Sequence, residues 1–365
     1  MRAHDLHDEL RIRIHARRAP INYNPLRVLH KLTLADMDTK PRLTVVLAFD
    51  YGYGIHDKVA WRWLERHFLY PKDDVNLVLL HVETIRERSK VDLMSYQYVS
   101  LADASRFLSY DIHTHLPMYP HHEICVLRTG MSASSAILHF MEFDAPAHSV
   151  LILGSRRHTP AIPNRFLLGS VSADVTTKID SNPVLLVRTR PFESITDLRE
   201  DTVGAAYIGT TEDTTRRRSV CIAVDEANVK SLIRYCITKK ILKADDYVQI
   251  VHCAADENAA TLNRVTTEIN IDMRNELLDF FKEPGQVDTI LLFSGEPRDE
   301  ILAHVNALRS MDLLIIGNRT QHRSLLHHVI GSTAVYILNY ARVPVLMIPD
   351  KLLKTCEALK GEESM

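Results

Sequence analysis

Two stretches of this 365-residue chain carry residues whose types and spacing suit the binding of an anion. In the later one, Leu313-Leu314-Ile315-Ile316 runs into Gly317. A basic, histidine-rich loop follows, and Gly331-Ser332-Thr333 opens an apolar helical pattern that leads to Val343-Pro344-Val345-Leu346-Met347-Ile348. In the earlier one, Leu151-Ile152-Leu153 runs into Gly154, and a basic loop leads to Gly169-Ser170 and then Pro183-Val184-Leu185-Leu186-Val187. A buried strand, a glycine turn and a hydroxyl-bearing helix start aim backbone N–H groups at the space beyond the strand's carboxyl end, where negative charge is favoured. Two aspartates, Asp50 and Asp225, close short apolar runs and supply the carboxylates nearest to such a space.

Other chemistries find no matching pattern. The five cysteines (Cys125, Cys221, Cys236, Cys253, Cys356) are odd in number and scattered, with no Cys-x-x-Cys, so neither a disulfide framework nor a zinc site is expected. Cys221 and Cys253 read as core thiols. Nineteen histidines include the doublets His121-His122 and His327-His328, yet none stands with acids or cysteines at metal-ligand spacing. Neither a Walker-type Gly-Lys-Ser/Thr nor a nucleophile–base arrangement is present, so no enzyme activity beyond weak ATP hydrolysis is expected. A formal net charge of −2 gives no general attraction to nucleic acid or an anionic membrane, and no apolar run approaches a membrane span. Arg216-Arg217-Arg218-Ser219 has the look of a kinase recognition stretch but reads as the charged end of a linker. A reduced, cytoplasmic setting is expected.

The elements that must position these residues alternate. Leu43–Asp50, Val75–Val82, Glu123–Arg128 and Val150–Leu153 read as buried parallel strands. Helical patterns run through Val59–Phe68, Leu93–Ser109 and Ala133–Met141, and Ile112–His122 reads as an irregular loop. Residues 191–217, rich in Thr, Asp, Glu and Arg, read as a linker. The order then restarts with strands Val220–Asp225, Tyr247–Cys253 and Thr289–Phe293, and helices at 229–241, 260–281 and 298–308. Residues 1–41 form an extension, 42–190 and 218–350 two domains, and 351–365 a polar tail expected to fray.

The second half repeats the first. Asp50 aligns with Asp225, His81 with His252, Gly169 with Gly331 and Pro183 with Pro344, at offsets that shrink from 175 to 161 residues. The fold class expected is α/β, as two tandem five-stranded parallel-sheet domains of Rossmann-like form with helices on both faces.

In this order and twice over, these features resemble a tandem universal stress protein. The resemblance rests on the strand ending in Asp, the second strand ending in His81-Val82 or His252-Cys253, and the Gly loop running to Gly-Ser and a Pro-Val strand. It implies an adenine nucleotide, ATP or AMP, with or without Mg, at the strands' carboxyl ends. Carried over, Asp50 and Asp225 would meet the base or ribose, and Val82 and Cys253 would flank the adenine. Gly154, Gly169 and Ser170, and Gly317, Gly331, Ser332 and Thr333, would cradle phosphates. The nucleotide-binding loop of the family has a middle glycine where this chain has Arg157 and Thr320, and its outer glycines lie 13 residues apart rather than the 15 and 14 found here. Basic loop residues such as Arg319 would compensate by pairing with phosphate.

The function implied is a stress or signalling module whose nucleotide occupancy governs association with a protein partner. The alternative is a scaffold that binds no nucleotide. In either case the Pro183 and Pro344 strand edges would pair within the chain as a pseudo-dimer, with a homodimer as a further possibility.

Overall fold

The computed structural model describes residues 43–49, 55–69, 71–85, 94–146, 149–155, 170–188, 217–225, 228–254, 267, 277, 279–281, 283, 285–293, 295–308, 310–318 and 331–355. The extension 1–41, nearly all of the 191–217 linker and most of the expected 260–281 helix lie outside these residues. So do three site candidates, Asp50, Gly169 and Arg319.

The first half runs β1 (Leu43–Phe49), α1 (Ile55–His67), β2 (Val75–Thr84), β3 (Met94–Tyr98), α2 (Leu101–Ala104), α3 (Tyr110–His115), β4 (His122–Thr129), α4 (Ala133–His139), β5 (Val150–Ser155), α5 (Ser170–Lys178) and β6 (Val184–Arg188). The second runs β7 (Ser219–Val224), α6 (Val229–Thr238), β8 (Tyr247–Ala254), β9 (Val287–Phe293), α7 (Pro297–Ala307), β10 (Leu313–Asn318), α8 (Ser332–Tyr340) and β11 (Val345–Pro349). All seven residues of β1 and all six of β7 are buried, the mark of strands covered on both faces.

The architecture is α/β with a mostly parallel sheet. Among the described residues it is one sheet of eleven strands, in the order β3-β4-β2-β1-β5-β6-β11-β10-β7-β8-β9, rather than two sheets of five. The halves meet where β6 and β11 pair antiparallel, Leu186 opposite Val345, Leu185 opposite Leu346 and Val184 opposite Met347. Pro183 and Pro344 precede these strands, so their missing N–H groups cost the ladder nothing. Their carbonyls accept from Leu151 and Leu314, each at 2.9 Å. Both hydrophobic layers run across the junction. One face carries Leu185, Val187, Leu346 and Ile348, and the other Val184, Leu186, Val345 and Met347.

The first half departs from expectation between β2 and β4. Instead of one helix over Leu93–Ser109 there is the antiparallel edge strand β3, paired to β4 from Met94 opposite Thr129 to Tyr98 opposite Cys125, and then the short α2. Met94, Tyr96 and Tyr98 recur with period two, and strand pairing prevails over the helical spacing that starts only at Leu101. The expected irregular loop contains α3, capped by the Ser109 hydroxyl, which accepts from the Ile112 N–H. The tail does not simply fray. Residues 350–355 are helical, with Leu352 and Leu353 buried against the β11 side of the core.

Candidate functional site

The helices after neighbouring strands leave the sheet on opposite faces at two places. In the second half α6, which follows β7, packs through Val229 and Leu232 on one face, and α8, which follows β10, packs through Ala334 and Ile337 on the other. β7 and β10 are adjacent, so a crevice opens beyond their carboxyl ends. β1 with α1 and β5 with α5 repeat this arrangement in the first half.

In the second half Asp225 sits half-buried at the tip of β7 and is locked to Asn228, the residue before α6. The Asp225 N–H donates to Asn228 Oδ1 at 2.9 Å. In return the Asn228 N–H donates to Asp225 Oδ1 at 3.0 Å, and Asn228 Nδ2 to Asp225 Oδ2 at 3.3 Å. Gly317, one strand over, leaves room for that amide. A Cβ on Gly317 would lie 2.6 Å from Asn228 Nδ2, closer than real Cβ contacts come, with Leu353 Cδ1 at 3.6 Å. Neither Gly317 nor Gly331 has a positive φ, so close approach, rather than a left-handed backbone, explains Gly317.

Asn318 closes the other side. It is buried, and its Oδ1 accepts from the Gly331 N–H at 3.3 Å, tying the end of β10 to the start of α8. Ser332 is exposed and Thr333 half-buried in the first turn of α8. Gly331 precedes that helix and brings no capping side chain of its own, an arrangement that suits an anion at the first-turn N–H groups. On β8, His252 donates from Nδ1 to the Val224 carbonyl at 3.0 Å, and its buried Nε2 has no hydrogen-bond partner among the described residues. Cys253 is half-buried rather than a core thiol. Burial, with the Glu300 carboxylate second, holds its pKa above the ordinary thiol value. Cys221 is a core thiol, pushed up to about 12 by burial. Both remain protonated at neutral pH, which gives neither the thiolate that nucleophilic chemistry requires.

The first half brings together fewer of its expected residues. Gly154 lies at the end of β5, and its carbonyl accepts from the Ser172 hydroxyl at 3.4 Å. Ser170 is exposed at the start of α5, and Val82 is half-buried on β2. On the α1 face the ends of β1 and β2 are filled by rings. His81 and Phe107 stack with centroids 5.0 Å apart and planes at 13°, and Phe49 lies 5.5 Å from His81.

The sequence reading missed Asn228, Asn318 and Phe107. Asn228 carried a signal, since it precedes the apolar run of α6 as helix-capping residues do. The kinase-like stretch changes meaning. Ser219 is buried in β7, its N–H donating to Asp312 Oδ2 at 2.8 Å. Arg218 is not a solvated linker end. It is buried and paired with Asp246 through Nε at 2.9 Å and Nη2 at 2.5 Å. It also donates to the carbonyls of Ile241 and of His67, the latter in the first half. Among the described residues no group of three or more potential metal ligands occurs, and no helix is long and apolar enough to cross a membrane.

No curated protein sequence matches the chain. Among solved structures, a functionally unknown protein from Pseudomonas aeruginosa PAO1 aligns over 89% of this chain and 98% of its own, at 15% identity and a TM-score of 0.48. A universal stress protein from Archaeoglobus fulgidus aligns over 36% of this chain and 99% of its own, at 22% identity and a TM-score of 0.29. UspA from Lactobacillus plantarum covers 36% of this chain and 98% of its own, at 15% identity and a TM-score of 0.28. Residues 217–349, which contain the whole Asp225–Asn228–Gly317–Gly331 cluster, match the sequence profile of the universal stress protein family.

Proposed function

We propose that the second half binds an adenine nucleotide, ATP or AMP, in the crevice between β7 and β10, and that occupancy rather than turnover is the signal. The observation that carries this is the convergence of Asp225, Gly317 and Gly331. Three separate elements deliver them, and Asn228 and Asn318 tie them into one cluster. The carboxylate would meet ribose or base, Cys253 would lie beside the adenine, and the first turn of α8 with Ser332 and Thr333 would receive phosphate. Arg319 and a Mg ion would supply further countercharge. The chain would act in the cytoplasm on a protein partner.

The first half is read as a structural companion. The Phe49–His81–Phe107 rings favour this, because they fill the α1 face of the sheet beside the ends of β1 and β2. The pairing of β6 with β11 supports an internal pseudo-dimer.

The test is calorimetric titration of the purified chain with ATP and AMP, alongside an assay for nucleotide released on denaturation. Micromolar binding at one site per chain, lost in Gly331→Val, supports the reading. Absence of both bound and titratable nucleotide overturns it in favour of a scaffold.

A further inference from the structure

We infer that Asn228 is the positioning residue of the nucleotide crevice, and that Gly317 is a glycine for the sake of Asn228 rather than for phosphate. The inference rests on the nucleotide reading above. Asp225 is the one carboxylate that reading sets against ribose or base, and it stands at a strand tip where an unsupported side chain would sample several rotamers. Asn228 removes that freedom. Its backbone N–H holds one carboxylate oxygen and its side-chain amide the other, while its Oδ1 holds the Asp225 N–H.

The Asn228 amide is in turn held from behind. It occupies the volume that a Cβ on Gly317 would claim at 2.6 Å, and the buried Leu353 flanks the same volume at 3.6 Å. An alanine at 317 therefore has to push the amide off Asp225, although it lies on a different strand and makes no bond to the carboxylate. Asn228 and Gly317 form one device, so their loss should not count twice.

The experiment titrates the full chain with ATP in the wild type, Asn228→Ala, Asn228→Asp, Gly317→Ala and the double variant N228A/G317A. Asn228→Asp keeps the size of the side chain and the acceptor for the Asp225 N–H but removes the amide donor. It carries the test should Asn228→Ala fold poorly. Each single variant is expected to weaken ATP about tenfold, the loss of one charge-assisted hydrogen bond. The double variant should be no weaker than either single one, with thermal midpoints confirming that all are folded. Single variants that bind ATP like the wild type, or a double loss equal to the product of the single losses, overturn the role of Asn228 alone. A wild type that binds no ATP overturns this role together with the nucleotide reading.

Discussion

At the scale of single residues, the buried charges near the junction decide most. Arg218 and Asp246 are both almost fully buried, and the guanidinium also serves two carbonyls, one from each half. Replacing Arg218 with Ala leaves a buried carboxylate without its cation. We expect a loss of about 3–5 kcal/mol, read as a lower urea midpoint. Lys243 lies beside this pair. Burial first, and repulsion from Arg218 second, lower its pKa to about 8, against the pull of Asp246 and Asp245. In the unfolded chain its pKa is near 10.4, so between roughly pH 8 and 10.4 the unfolded state holds the extra proton. Stability contributed at this position therefore rises with pH across that window, and the penalty is fully present below it. Lys243→Met should stabilise the chain at pH 7 and remove this part of the rise. Thermal midpoints from pH 7 to 10.5, taken as a difference from the wild type, read it.

At the scale of elements, legibility followed burial. Strands such as Leu43–Phe49 and Val220–Val224 announce themselves because both faces are apolar, and Gly317 and Gly331 stand where strand and helix patterns end. What stayed hidden was held by polar side chains acting across elements. Nothing in a linear reading ties Asn318 to Gly331, thirteen residues on, or makes Gly317 answer to Asn228. β3 was missed because five residues of alternation are too few to outweigh the helical spacing beyond them. The 350–355 turn was missed because two leucines among charges do not make a pattern. Truncation after Pro349 tests that turn. Leu352 and Leu353 leave the core, each worth about 1.5–3 kcal/mol when fully buried, and a drop in thermal midpoint of several degrees is expected. Phe107→Ala should cost about 3–5 kcal/mol by opening a cavity between Phe49 and His81, read by denaturant unfolding.

At the scale of the molecule, the junction is short in backbone but continuous in core. Three facing residue pairs link β6 to β11, while apolar layers pass over and under them. The second half produced alone would bare the β11 edge together with Leu346 and Met347. Size-exclusion chromatography is expected to show dimers or aggregates. A well-behaved monomer would count against the junction as the main stabiliser.

The antiparallel meeting of β6 and β11 also fixes directions. All strands flanking the first crevice point one way and all those flanking the second point the other, so the two mouths open at opposite rims of one slab. At the usual 4.8 Å between strands, their switch points stand about 19 Å apart along the sheet, as well as a strand's length apart across it. A single small partner touching one mouth leaves the other untouched. The two crevices therefore face away from each other, one lined by the Asp225–Asn228 pair and the other set beside the Phe49–His81–Phe107 rings.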